Sequence, residues 1–426
     1  MRLLRAVSAF IASASVLTPL ISASSTSRNP LSRLAVVQDP VIHTHNRRVT
    51  ALSSFDLSLE LYGERIRLSL EPNHDILPHG ATVEYLGPDG NVVRSESIER
   101  LDHRVYKGTV WVEVESGEWS NAGWARIVVR RDGVHPLFEG AFALGQDHHH
   151  VQLASNYVVT KHASDPELQW VQGEDEFMVV WRDSDIQEEQ KHMELKRDLE
   201  GSLACRADTL EFNTLPDHPV YTRMLRREDR FWGTPAASLF GKRQLDNTPG
   251  SGNSAGVNLL STIGQTAGCP NTRKVALVGV ATDCTYTASF NSTETARQNI
   301  ITQMNSASDL YEKTFNITLG LRNLTVADAS CPGSPQAAMP WNVACSGSVD
   351  IQDRLNAFSA WRGTKQDDNS HWTLLSTCNT GSAVGLAWLG QACVNSAQTT
   401  NSSARSETVS GANVVVRTGT EWQVIA

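Results

Sequence analysis

The sequence predicts a mixed α+β and α/β chain in two unlike parts: a β-rich front half, then a domain built on a mostly parallel sheet with helices packed on it. Three observations carry this. Residues 55–70 alternate apolar and polar with a period of two. Beyond residue 274, continuous apolar strands alternate with segments of helical period. Between the two, residues 246–256 form a Gly/Ser/Asn-rich linker.

The elements follow in chain order. Phe55, Leu57, Leu59 and Leu61, then Ile66, Leu68 and Leu70, mark two half-buried strands. Pro88-Asp89-Gly90 supplies a turn between two further strands, and residues 105–114 and 125–129 continue the pattern. At Val275 the period changes: residues 275–281 are an uninterrupted apolar run of the kind buried on both faces of a sheet. Residues 293–315 then read as a helix with Ile300, Met304, Ala307, Tyr311 and Phe315 on one face. A strand through Ile317, Leu319 and Leu321 is next, followed by a helix from Ser348 or Asp350 to Gly363 that buries Ile351, Leu355, Phe358 and Trp361. A strand over 372–377 closes the alternation, which implies crossover helices on a parallel sheet. Last, Thr418 and Glu421 stand in capping-box relation ahead of Trp422, Val424, Ile425 and Ala426, predicting a helix that starts here and continues past the present end, so the chain reads as an N-terminal fragment.

At 426 residues there is room for two or three domains. A content of 40% apolar and 19% charged residues is that of neither a disordered nor a fibrous chain, and a net charge of -9 with no basic stripe gives no support to nucleic acid as a partner. Residues 1–23 read as a secretory signal peptide: Arg2 and Arg5, an apolar stretch over 6–21, then small residues around Ala23. No later apolar run reaches the roughly 18 residues of a membrane helix. Four sequons, at Asn291, Asn316, Asn323 and Asn401, agree with a secretory route and make these residues glycosylation candidates. Lys242-Arg243, just before the linker, is a dibasic pair that a secretory convertase could cut, and Arg226-Arg227 is a second. The chain thus divides into signal peptide 1–23, pro-segment 24–243, linker 244–268 and a second domain 269–426.

Six of the seven cysteines fall in that second domain as Cys269 and Cys284, Cys331 and Cys345, Cys378 and Cys393, each pair 14 or 15 residues apart. In an oxidising compartment they suggest disulfides; the spacing favours local pairs of about 3 kcal/mol each, while other connectivities stay open. Cys205 stands alone in the pro-segment: a thiolate could cap a catalytic metal and hold an enzyme latent, or it is a buried cysteine or an intermolecular disulfide. Residues 147–150, Asp-His-His-His, read as a solvated loop, because adjacent residues of an extended chain point to opposite faces and do not converge on one ion. His371 beside Trp372 reads as a packed or capping histidine.

Several of these segments together resemble the adamalysin-type (ADAM) zinc metalloproteases, most closely their fungal branch, over nearly the whole chain. Residues 274–286 look like that family's first protease strand. Gly385-Leu386-Ala387-Trp388, with Cys393 following, resembles its antiparallel edge strand. Residues 418–426 are similar to those preceding the zinc helix, and residues 205–213 resemble the cysteine-switch region, with Arg206 in place of the usual glycine.

The resemblance implies a metzincin-like domain and a secreted or membrane-anchored zymogen whose zinc-bound water, with a glutamate as base, hydrolyses protein or peptide substrates. It implies that Cys205 is the latency switch, that Gly385, Leu386, Ala387 and Trp388 form a surface where substrate adds as an antiparallel strand, and that a membrane anchor lies downstream. In several relatives the cysteine matching Cys393 bonds to one beyond the present end. The family's H-E-x-x-H-x-x-G-x-x-H motif is absent, and of thirteen histidines only His371 lies beyond the processing pair. The chain alone therefore has no catalytic residue and no metal ligand, and is predicted inactive. A second reading is a non-catalytic decoy or inhibitor that offers Cys205 to an active relative; apolar sheet surface left uncovered without a zinc helix argues against it.

Overall fold

The computed structural model describes residues 29–114, 116–171, 173, 175–187, 210–211, 272–379, 383–388, 390–401 and 405–426. The signal peptide, Cys205, the Lys242-Arg243 pair, the linker and Cys269 lie outside the described residues. The front half contains β1 (Ala35–Val36), β2 (Gln38–His43), β3 (Phe55–Leu61), β4 (Glu64–Pro72), β5 (Thr82–Leu86), β6 (Val92–Ser97), β7 (Val105–Glu113), β8 (Trp119–Arg131), β9 (Leu137–Leu144), β10 (Asp147–Leu153), α1 (Ala154–Thr160) and β11 (Met178–Arg182). The back half contains β12 (Lys274–Thr282), α2 (Cys284–Ala288), α3 (Thr293–Phe315), β13 (Ile317–Val326), α4 (Ile351–Arg362), β14 (His371–Ser376), β15 (Gly385–Ala387), β16 (Gln398–Asn401), β17 (Ser406–Val409), β18 (Ala412–Val416) and α5 (Glu421–Ile425).

The period-two residues of β3 and β4 point inward as their alternation requires: Phe55, Leu57, Leu59 and Leu61 are buried, as are Ile66, Leu68 and Leu70. They belong to an antiparallel nine-stranded sheet of order β1-β11-β10-β9-β8-β7-β4-β3-β2. Only Val37 separates β1 from β2, so one run of chain pairs at both ends and closes the sheet on itself. Its interior holds Leu57, Leu68, Tyr106, Ile127 and Phe142. Closure leaves no long open edge on this sheet.

The second sheet has seven strands in the order β15-β18-β14-β12-β13-β5-β6. Strand β12 runs parallel to β13 and β14, β14 parallel to β18, and β15 antiparallel to β18 at the sheet's end. Its other end is not made by the back half. The hairpin β5–β6, turning through Gly90 at φ +82°, leaves the front sheet and lays β5 parallel to β13. Val83 and Tyr85 of the hairpin share one apolar core with Leu319, Leu324 and Val326 of β13.

Helix α3 lies between the two sheets. Ser292 caps it by accepting from the Thr295 N–H, and Asn316 ends it in the left-handed region. Ile300, Ile301, Met304 and Ala307 face the common core. Its polar residues meet the front half: Arg126 donates to Glu312 at 2.9 Å and pairs with Asp309 at 3.2 Å, Arg130 donates to Thr302 at 2.7 Å, and Asn305 donates to the Tyr106 carbonyl at 3.1 Å. The apolar stripe ends before Phe315, which is 49% exposed. Helix α4 begins with a capping box between Asp350 and Asp353 and buries Ile351, Leu355, Phe358 and Trp361 as the periodicity predicts. Trp361 meets Trp372 edge to face at 4.9 Å, and the Trp372 ring covers Gly279 so closely that a Cβ there would sit 2.2 Å from it.

The disulfides differ from the local pairs that spacing favours. Cys284 joins Cys331 and Cys345 joins Cys378, across 47 and 33 residues. The sheet dictates this: β12, β13 and β14 run side by side in one direction, so the chain leaving each strand carries Cys284, Cys331 and Cys378 out at the same end. Cys393 is an exposed free thiol.

Candidate functional site

The site is built where β15 and α5 meet at one end of the seven-stranded sheet. Gly385, Leu386 and Ala387 pair with Val415, Val414 and Asn413 of β18. A Cβ on Gly385 would stand 2.8 Å from the Val424 side chain, so β15 and the first turn of α5 are in direct contact. Leu386 and Trp388 are buried, and the Trp388 indole donates to Ser359 of α4 at 2.8 Å. Of the four residues that sequence places on this surface, these two hold the strand down with their side chains and are not free to contact another chain.

The α5 turn does not form the expected capping box. Its N-cap is Thr420, with no side-chain cap bond, and Thr418 instead accepts from the Thr420 N–H at 3.3 Å. Glu421 is drawn away because the Tyr286 hydroxyl donates to it at 2.7 Å, and Tyr286 in turn accepts from Asn299 at 2.9 Å. Only 1% of Glu421 is exposed. Burial pushes its carboxyl up to about 7, against the opposing charge of Arg417 and the hydrogen bonds of Tyr286 and Asn299. The Arg417 guanidinium sits 3.9 Å from the Phe290 ring centre and donates to Asn156 of the front half.

Residues 147–150 correct a second expectation. They are not a solvated loop: they open β10, and His149 and His150 are each 2% exposed. Strand alternation separates them as the sequence argument requires, with His149 stacked on Phe142 at 4.6 Å and its basicity lowered by burial to about 4. His148 and His150 face α5 instead. The Trp422 indole donates to His150 Nδ1 at 3.0 Å, and an indole N–H only donates, so the His150 proton lies on Nε2 and is given to Asp183 at 2.7 Å. His148 donates to the other Asp183 oxygen at 2.9 Å, and Gln423 donates to it at 2.9 Å. Burial opposes ionisation of Asp183, yet these donors hold its carboxyl well below the ordinary range. The aromatic walls of Trp181 and Trp422 make this burial possible.

His371 is a packed residue at the start of β14, with Nδ1 3.0 Å from the Ser370 hydroxyl and its basicity lowered by burial to about 4. Among the described residues no group of three or more His, Cys, Asp or Glu is placed to hold a metal ion. The described histidines nearest α5 are engaged with Asp183 and Trp422, so these residues do not fit a zinc centre.

Sequence reasoning missed a buried ion pair in the same domain. Asp283 caps α2 and pairs with Arg354 of α4 at 3.1 Å, both fully buried. Arg354 also donates to the Val343 and Ala344 carbonyls and to the Cys378 sulfur, gathering the Cys345–Cys378 loop. A charged residue on the buried face of α4 was the available signal. The sequon residues are dispersed: Asn291 is exposed ahead of α3, Asn316 ends α3, Asn323 lies within β13 and Asn401 ends β16.

Comparison with known proteins places these features. Residues 271–426 match the model for metallo-peptidase family M12 of the reprolysin type, and residues 25–111 match the reprolysin family propeptide. The disintegrin and metalloproteinase domain-containing protein B of Aspergillus fumigatus is 46% identical over 100% of this chain and 54% of its own length. Its namesake from Arthroderma benhamiae is 45% identical over 98% of this chain and 53% of its own. The zinc metalloprotease mde10 of Schizosaccharomyces pombe is 28% identical over 22% of this chain and 18% of its own. The chain spans about half the length of the first two relatives.

Proposed function

The chain belongs to the reprolysin branch of metallopeptidase family M12, and from that premise we propose that it is the latent front part of a secreted or cell-surface metalloendopeptidase acting on protein or peptide substrates. The observation that carries this reading is the contact between β15 and α5 at the end of the sheet. An extended peptide laid antiparallel on β15 would run past the first turn of α5, and its main chain rather than the side chains of Leu386 and Trp388 would be what the strand recognises. Gly385 and Ala387 are the residues whose main chain would meet it.

The family implies a metal, typically zinc. The described residues supply no ligand set for it, so no hydrolytic step is assigned to them, and the 426-residue chain alone is proposed to be inactive. Cys205 is proposed as the latency switch and Lys242-Arg243 as the point where a secretory convertase separates pro-segment from protease. The signal-like residues 1–23 and the sequons support entry to the secretory pathway. No helix among the described residues is long and apolar enough to cross a membrane.

The test is to read the transcript across codon 426 and assay the secreted product on a fluorogenic peptide library with zinc and with chelator. The reading expects an in-frame H-E-x-x-H-x-x-G-x-x-H and chelator-sensitive cleavage. A stop codon at that point, with no cleavage under any metal condition, removes the peptidase function.

A further inference from the structure

The sequon Asn323-Leu324-Thr325 lies in β13, and the pro-segment strand β5 pairs with it residue for residue. Thr82 stands opposite Asn323, Val83 opposite Leu324, Glu84 opposite Thr325 and Tyr85 opposite Val326. On its other side β13 pairs with β12, Asn323 facing Gly279. The sequon is therefore an interior strand of a sheet whose outer neighbour comes from the pro-segment.

The side chains are committed as well. Asn323 Nδ2 donates to the Thr82 hydroxyl at 3.0 Å, and its Oδ1 accepts from Asn369 at 2.9 Å. Thr325, whose hydroxyl completes the acceptor sequence, is 3% exposed. The hairpin itself is anchored independently: Val83 is fully buried in the common core, and Glu96 of β6 pairs with Arg297 of α3 at 2.7 Å. Asn291, by contrast, is exposed in the connection before α3.

An N-linked oligosaccharide replaces a hydrogen on Nδ2 with a bulky solvated group. At Asn323 that group would emerge where the nitrogen now meets Thr82, along the line that β5 occupies. We propose that glycosylation of Asn323 and docking of the pro-segment hairpin on β13 are mutually exclusive: the docked hairpin keeps this sequon bare, and an oligosaccharide placed there first keeps the hairpin off. The edge of β13 is thus a strand-docking surface for residues 82–86 that one modification closes.

The glycan part of this proposal rests on the secretory route proposed above, so the experiment has one arm that needs that route and one that does not. In the first, the full chain is produced in a glycosylating fungal host, and occupancy is read by peptide mass spectrometry beside hydrogen exchange of the β5 amides. Sugar on Asn291 with Asn323 bare, in chains whose β5 amides are protected, is the expected result. Sugar on Asn323 in chains with protected β5 amides overturns the proposal. Sugar on neither residue counts against the secretory route, and the second arm then decides.

In the second arm, Asn323→Cys and Asn291→Cys variants of the full chain are treated with a polymer-linked maleimide, with Cys393 as the exposed reference thiol. The Asn291→Cys thiol should react as fast as Cys393, and the Asn323→Cys thiol at least about tenfold more slowly, because it must wait for the hairpin to open. Adding Val83→Asp, which sets a carboxylate into the core beneath the hairpin, should restore fast labelling. Where that variant fails to fold, the β5 amides of the labelled Asn323→Cys protein are measured instead and should lose protection. Labelling at the Cys393 rate with β5 still protected, or a labelled protein with β5 protection unchanged, overturns the proposal.

Discussion

Replacing Arg354 by Met tests what holds the back half of the chain together. Its guanidinium and the Asp283 carboxylate are 1% and 0% exposed and 3.1 Å apart, so solvent does little to screen the pair. The substitution keeps most of the buried volume and removes the charge. Asp283 would keep its bonds from the Tyr286 N–H at 2.8 Å and the Thr285 hydroxyl at 2.6 Å but lose its only described counter-charge. Breaking one side of a buried pair costs about 3–5 kcal/mol, about a fifth or more of the roughly 5–15 kcal/mol that folded proteins possess. The urea midpoint should fall by that loss divided by the slope measured in the same titration, a slope that grows with the surface exposed on unfolding. The assay is a urea titration of the full chain, disulfides intact, followed by tryptophan fluorescence; Trp341, Trp361 and Trp372 lie in the core cluster that α4 helps to form. Adding Asp283→Asn removes the stranded charge while leaving an acceptor for the α2 cap, and should recover about 0.5–3 kcal/mol. A loss below about 1 kcal/mol for Arg354→Met, or a double variant as unstable as the sum of the singles, refutes the reasoning.

Three further outcomes follow from the same structure. Gly279→Ala would drive a Cβ into the Trp372 ring at 2.2 Å and should destabilise by about 1–3 kcal/mol, read as a fall in melting temperature. Glu421 has its carboxyl raised to about 7 in the fold against about 4.3 unfolded. The folded state therefore binds the extra proton at Glu421 between those values, and the contribution of this group to stability should fall as pH rises through about 7, while buried His149 and His371, with basicity lowered to about 4, contribute in the opposite sense below about 6.5. Glu421→Gln should flatten that dependence, and thermal melts at pH 5 and pH 8 that show equal differences between the two proteins would count against it. Finally, Cys393 should react with a maleimide without denaturant while Cys284, Cys331, Cys345 and Cys378 do not, as peptide mass spectrometry would show.

Local pattern decided how much of this was legible in the sequence. Helix α3 could be read over residues 293–315 because a long 3.6 period is written within its own residues, while its Ser292 cap and left-handed Asn316 end emerged only in the fold. The inward residues of β3 and β4 were legible for the same reason. The destination of β5–β6 was not, because Thr82 and Asn323 are 241 residues apart and nothing near either records the pairing. Residues 147–150 look solvated as a string of imidazoles; only Phe142, Trp181 and Trp422, brought in from three other elements, make them buried. Thr418 and Glu421 satisfy a capping box by spacing, but the Tyr286 hydroxyl reaches the carboxylate instead. Cysteine spacing suggested neighbours, whereas parallel strands ending side by side chose the partners. At the candidate site, the edge strand was identified by resemblance, while the Asp183 cluster required three-dimensional placement, as did the buried Asp283–Arg354 pair.

The hairpin shared between sheets also sets an order of events during synthesis. Every strand of the closed front sheet has left the ribosome by Arg182, and its pairings can form at once. Residues 82–97 cannot finish, because the strand they need ends at Val326. For the time it takes to make more than a hundred further residues, an apolar hairpin carrying Val83 and Tyr85 hangs from an otherwise completed body. Long-range pairing of this kind closes slowly and leaves sticky surface in the interval. Maturation speed should therefore be governed by how quickly β13 is caught, and a chain stalled before Val326 should be the species that chaperones bind.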